Sequence, residues 1–404
     1  MLLTAVALFA VACGGGDDTD QAASTSTLPP DGTVTTVAPA TTAAPKKIDT
    51  IPGMPGVPDP SNLYSETKTG NFAEATKGAL TRVYVPNRAD NTVSVIDPAT
   101  MQIVDTFSVG LNPQHVVPSW DLTTLWVTNN AEGTPNGTLT PIDPKTGKPG
   151  PSVVVDDPYN MYFSPDGKYA INVAEARLRL DFLDPKTMAH ISSLDVPGCD
   201  GINHADFTID GRYVLFTCEF GGALAKIDMV NRTVVGYLQL SQGGMPQDIR
   251  SSPDGSVFYV AEMMRGGIYT VDPNAFTETG FIPSGVGTHG LYPSRDGTKL
   301  YVANRGSNRV GGPPNGPGSV SVLDFATRQI VATWPVPDGG SPDMGNVSND
   351  GKTLWLSGRY DNEVYAIDTT TGGYTKIPVG AEPHGLTVWP QPGRYSLGHT
   401  GNMR

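Results

Sequence analysis

Four of the chain's six histidines stand in one short, recurring context. They are His115 in NPQHVV, His204 in GINHAD, His289 in GTHGLY and His384 in EPHGLT. Three related segments carry another polar residue at that place: Asn160 in DPYNMY, Asp248 in MPQDIR and Asp343 in SPDMGN. Imidazoles and carboxylates ligate metal ions and also take and give protons. Met161, Met245 and Met344 flank the column, and thioethers favour copper(I) among the common metals. The cofactor such a column would take is a copper or other divalent metal ion, with His115, His204, His289 and His384 as ligands. A structural use competes, because a buried polar residue can simply hydrogen-bond a neighbouring strand or a water.

A second column follows, 15 or 16 residues after the first in six of the segments. It reads Arg88, Asn130, Glu175, Glu219, Met263, Arg305 and Arg359, with Glu262 one residue before Met263. Closed into a circle, the series would make Arg305, Arg359 and Arg88 neighbours, and likewise Glu175, Glu219 and Glu262, so such a ring would be basic on one sector and acidic on the other. That field suits a small polar or zwitterionic ligand. Solvated loop charges are the simpler alternative. Of the three cysteines, Cys199 precedes His204 and Cys218 ends the strand that follows. A disulfide is expected outside the cytoplasm, and a soft-metal site with His204 is the alternative.

The elements that must position these residues form a repeat. Seven apolar strands end in Asp, often before Pro, at Asp97, Asp143, Asp184, Asp228, Asp272, Asp324 and Asp368. Seven alternating strands precede them: RVYVPN, TLWVTN, YAINVA, YVLFTC, VFYVAE, KLYVAN and TLWLSG. Asp-Gly pairs at 166–167, 210–211, 254–255, 296–297 and 350–351 mark tight turns that need positive φ. Each period of about 40–45 residues therefore holds four antiparallel strands, the pattern of a propeller blade. The expected fold is all-β, a seven-bladed β-propeller over residues 80–392. The strand HGLTVWP, from His384, is expected to supply the inner strand that the first blade lacks. The first column would then ring the top of the central channel.

YVANRGSN at Tyr301 to Asn308 and VPNRADNTVSVID at Val85 to Asp97 resemble the YVTN, or YncE-like, propeller family. The resemblance spans roughly residues 80–390 and implies the fold, while folds of this kind host many chemistries. The histidine column is also similar to that of nitrous-oxide reductase, another seven-bladed propeller with copper ligands at the channel top, although four histidines are fewer than that cluster uses. Streptogramin lyases and some lactonases are similar at the level of the fold.

At the N-terminus, an apolar run and Ala10-Val11-Ala12-Cys13 resemble a bacterial lipoprotein signal, which implies residues 1–13 as signal with Cys13 lipidated. Ala10 replaces the usual Leu, and no basic residue precedes the run; a secreted protein is the alternative. Residues 14–79 read as a disordered tether and N-terminal extension, and 393–404 as a tail. A formal net charge of −13 without a basic stripe argues against nucleic acid as a partner. No G-x-S-x-G, H-E-x-x-H, Walker or C-x-x-C-H motif occurs. Together these features point to a monomeric, extracytoplasmic propeller. It would meet the membrane only through its lipid and bind a small polar ligand or an envelope protein at the channel top without catalysis. The alternative is a metal-dependent oxidoreductase, lyase or lactonase acting through the same ring.

Overall fold

The computed structural model describes residues 47–393, apart from 135, 312 and 313. Cys13, the rest of the signal and tether to residue 46, and the tail from 394 with His399 lie outside the described residues. Seven antiparallel sheets make the blades. Blade 1 joins Thr387–Trp389 to Arg82–Asn87, Thr92–Asp97 and Gln102–Ser108. Val83 pairs with Val388 and Tyr84 with Thr387, so the last strand closes the ring on the first blade as expected. The remaining inner strands are Pro113–Pro118, Pro158–Phe163, Ile202–Phe207, Pro246–Ser251, Thr288–Pro293 and Pro342–Val347, for blades 2 to 7. All six are buried along their whole length. Outer strands instead alternate exposed and half-buried residues, as in Thr233–Gln239 and Gln329–Pro335. Blade 2 departs from four strands: its outer strand splits into Lys148–Pro149 and Val153–Val155, both paired with Gly137–Asp143. Pro151 sits in the gap, where a ladder would require an N–H it does not have.

The repeat markers have physical roles. The Asp after each third strand accepts a backbone N–H two residues on, such as Ala99 to Asp97 at 2.9 Å and Lys145 to Asp143 at 2.8 Å. In the Asp-Gly turns the glycines take φ between 67° and 75°. Leu122 fills the same role in blade 2 at φ 64°, which is why that turn shows no Asp-Gly. The Asn that ends RVYVPN, TLWVTN and KLYVAN ties the second strand to the third. Asn87 donates to Ser94 Oγ at 2.9 Å, Asn129 to Thr140 Oγ1 at 3.0 Å and Asn304 to Ser321 Oγ at 3.0 Å. A glycine of the crossover packs against each one; a Cβ at Gly285 would lie 2.6 Å from Asn304 Cγ.

From residue 47 on, the N-terminal extension is part of the described structure. Residues 47–80 run across the Asp-Gly face and pack on it. Ile51 donates to the Asp210 carbonyl at 3.0 Å, and Leu63 to that of Pro253 at 2.7 Å. Tyr64 is fully buried and donates its hydroxyl to the Ser251 carbonyl at 2.7 Å. A segment rich in proline needs few backbone partners, so these contacts suffice to hold it. Among the described residues, no helix is long and apolar enough to cross a membrane.

Candidate metal centre at the channel mouth

The inner strands bring the histidines together. His115, His204, His289 and His384 come from blades 2, 4, 6 and 1, and none is more than 3% exposed. Their rings form a closed circuit: His115–His204 5.5 Å, His204–His289 6.4 Å, His289–His384 6.3 Å and His384–His115 4.8 Å between centroids. Asp343, from blade 7 and fully buried, joins it. One of its oxygens lies 2.8 Å from His289 Nδ1 and the other 3.6 Å from His384 Nε2. Ligand-type atoms of His289, Asp343 and His384 all fall within 4.8 Å of one another.

The seven column residues are not equivalent in the ladders. His115 opposes Thr128, one residue before the second strand ends, and Asn160 opposes Val173 in the same way. In blade 6 that place belongs to Gly290, opposite Ala303, and His289 sits one residue earlier, at the level of Gln114. Asp343 and His384 share the earlier level. Register shifts interrupt the ladders at this point in blades 2 to 7, and a bulge of this kind re-aims successive side chains. Two levels of the strand therefore feed one cluster, where the sequence suggested a single column.

Not every member faces the imidazoles. Asn160 donates to Tyr162 Oη at 3.1 Å and lies 3.3 Å from His204 Nδ1, so it supports that ring. Asp248 is spent on joining blades 5 and 6. It accepts the Leu291 N–H at 3.0 Å and the Ile249 N–H at 2.9 Å, and lies 3.4 Å from the fully buried Arg250. Met344 accepts the Tyr292 hydroxyl at 3.5 Å, and Met161 packs in the apolar cluster of Val117, Trp126 and Phe163. Those two thioethers have other work, which weakens the leaning toward copper(I). Tyr159 was not singled out by the column. Its ring lies 5.3 Å from His115 and 6.0 Å from His204; its place one residue before Asn160, at the His289 level, was the available signal.

The second column divides. Arg88 pairs with Glu132 and Glu382, so its charge is used. Glu262 folds its own loop by accepting the N–H groups of Met245 and Met264, at 3.0 and 2.8 Å. Met263 lies against Arg305, its sulphur 3.1 Å from Nη2. Asn130 accepts from Gln114 at 3.3 Å. Arg305, Arg359, Glu175 and Glu219 remain around the mouth. Arg305 is buried, reaches within 3.6 Å of Asp343 and stacks over Tyr360 at 5.6 Å. Glu219 accepts from Asn203 at 2.6 Å and Gln247 at 2.9 Å. Cys199 and Cys218 are bonded to each other, with Cα atoms 4.7 Å apart, so their sulphurs are not free to ligate a metal. His190 is exposed on an outer strand.

Burial sets the charge states. It lowers His289 to about 4, against the opposing pull of Asp343, so the imidazole is neutral at pH 7. Burial alone would raise the Asp343 carboxyl. The His289 contact and the charges of Arg305 and Arg359 outweigh it and hold Asp343 well below the usual carboxylate range. A neutral imidazole beside an ionised carboxylate is the ligating form of both groups. Burial and then the charge of Glu219 push Glu175 well above its ordinary value. A separate, partly open and largely apolar pocket lies in the extension, between Pro55, Val57, Leu63, Phe72 and Gly393. It contains no imidazole or thiol and is not where the chemistry gathers.

Residues 50–186 match the family model described as YNCE-like beta-propeller, which together with the seven-bladed ring supports the YncE-like propeller family. No curated protein matches the chain. Among solved structures it is similar to Kuenenia stuttgartiensis hydrazine synthase, at 20% identity and a TM-score of 0.57, over 68% of this chain and 89% of that one. The Pseudomonas aeruginosa periplasmic gluconolactonase PpgL matches at 17% identity and a TM-score of 0.60, over 76% and 98%. The dihydro-heme d1 dehydrogenase NirN matches at 15% identity and a TM-score of 0.56, over 79% and 77%. At such identities the likeness is one of fold.

Proposed function

We propose that this YncE-like propeller works outside the cytoplasm, anchored by lipid on Cys13, and binds a divalent transition-metal ion at the mouth of its channel. The observation that carries this reading is the meeting of His289, Asp343 and His384, with ligand atoms within 4.8 Å, inside a circuit of four buried imidazoles. Two imidazoles and a carboxylate, with His115 against His384, suit zinc, copper, iron or nickel. Asp343 positions His289, and the same carboxylate reaches His384 from blade 7. Blades 6, 7, 1 and 2 hold these groups on separate buried strands, so the site is rigid before any ion arrives. A bound ion would be presented to a small polar ligand at the mouth.

Elemental analysis of the full chain, purified without chelator, is expected to find close to one transition-metal ion per chain. An ion-free protein that takes up none on dialysis would defeat the reading. Replacing Cys13 by Ser should move the protein from the membrane fraction to the soluble one, and unchanged membrane association would remove the lipid anchor. A catalytic use of the ion is a second reading, favoured by Glu175, whose carboxyl burial pushes well above its ordinary value, toward a group that could donate a proton. Turnover by the ion-loaded protein, lost in Glu175→Gln, would establish it.

A further inference from the structure

We propose that the ion-loaded mouth takes a small oxyanion, held between the metal ion and the guanidinium groups of Arg305 and Arg359. The inference rests on the metal-binding reading and adds the class of ligand. Its first support is charge. An ion held by imidazoles and one carboxylate, with the Arg305 guanidinium 3.6 Å from that carboxylate, leaves a buried excess of positive charge. Such an excess is costly unless a counter-charge is present. Arg305 and Arg359 directly follow the second strands of neighbouring blades 6 and 7, Lys299–Asn304 and Thr353–Gly358, and Arg305 comes within 3.6 Å of Asp343.

The second support is unused hydrogen-bonding capacity. Arg305 is only 3% exposed, yet its buried Nε has no hydrogen-bond partner. The buried Nη1 of Arg359 also has none, and Arg359 enters no ion pair among the described residues. A buried N–H without a partner is uncommon and costs stability. The nearby acids do not fill these places. Glu219 is turned toward Asn203 and Gln247, and Asp343 is shared among His289, His384 and Arg305. Arg88 supplies the contrast: at the corresponding place in blade 1 it is saturated by Glu132 and Glu382. Guanidinium groups match the planar geometry of carboxylate, nitrate and carbonate, which is where Arg outperforms Lys.

The test uses the full chain loaded with Co2+, whose visible spectrum reports on its ligands. Acetate, nitrate and bicarbonate are titrated separately, with methylammonium as the cationic control. At least one anion is expected to shift the spectrum saturably, and methylammonium is expected to leave it unchanged. Arg359→Gln should weaken the anion at least tenfold, and Arg359→Lys should weaken it less. Equal anion affinity in wild type and Arg359→Gln would overturn the proposal. So would a Co2+ spectrum indifferent to every anion, and in that case the metal site stands while the anion site falls. Failure of Co2+ itself to bind would instead remove the metal-binding reading and this one with it.

Discussion

Replacing Asp343 by Asn removes one charge from the most densely coupled group in the molecule. The carboxylate is fully buried, lies 2.8 Å from His289 and 3.6 Å from both His384 and Arg305, and is held ionised by the surrounding cations. Asparagine keeps the shape and leaves Arg305 buried without its counter-charge. Breaking a buried pair from one side costs about 3–5 kcal/mol. Unfolding about 350 ordered residues at roughly 2 cal/mol/K each gives an entropy near 0.7 kcal/mol/K, so the melting temperature should fall by about 4–7 °C. Differential scanning calorimetry of the ion-free protein reads this directly. Ion-free protein matters, because a bound ion stabilises the native state by mass action and would enlarge the difference. A variant that melts within a degree of wild type would refute the claim that Asp343 compensates Arg305 and the imidazoles. A variant that melts higher would show that the desolvation cost of the carboxylate exceeds what its partners return.

Three further outcomes are expected. Changing Cys199 and Cys218 together to Ala opens a loop with a sequence separation of 19, which should cost about 3 kcal/mol by chain entropy; unchanged denaturant midpoints would show that the bond is not formed. Burial raises Asp248 to about 6, so the folded state holds a proton there that the unfolded chain gives up between about pH 4 and 6. Its contribution is complete below the unfolded value and is lost as pH rises through 6, so wild type should gain up to about 3 kcal/mol over Asp248→Asn on acidification from pH 7 to 4. His289 has the opposite slope and cancels in that comparison; a pH-independent difference would place Asp248 in no such state. A chain ended at Gly380 lacks the strand Thr387–Trp389 and bares the edge of Arg82–Asn87, so it should self-associate on size-exclusion chromatography, and a stable monomer would argue against closure by that strand.

Blade number and ring closure were legible because local chemistry recurs from blade to blade: the Asp turn in all seven, the Asp-Gly hairpin in five and the Asn that ties strands together in three. Leu122 hid one turn, since nothing in its own residue type announces a positive φ. The split outer strand of blade 2 was less legible, though Gly150 and Pro151 explain it once seen. At the site, sequence alignment brought His115, His204, His289, His384 and Asp343 into view. It could not tell that His289, Asp343 and His384 stand one level earlier on their strands, because a bulge changes register without changing residue type. Nor could it separate Asp248, which staples two blades, from Asp343, which faces the imidazoles. That difference depends on Arg250 and the Leu291 N–H, which come from other positions in the repeat. The place of residues 47–80 on the Asp-Gly face was not legible, because their composition shows no periodicity and they are held by contacts with turns far along the chain.

Isothermal titration of chelator-stripped full chain with a divalent transition metal tests the central claim most directly. Binding of one ion per chain in wild type is expected, with loss of that binding in the double variant His289→Ala, His384→Ala. Absence of binding in wild type, or undiminished binding in the double variant, would contradict the assignment of the metal centre to the channel mouth.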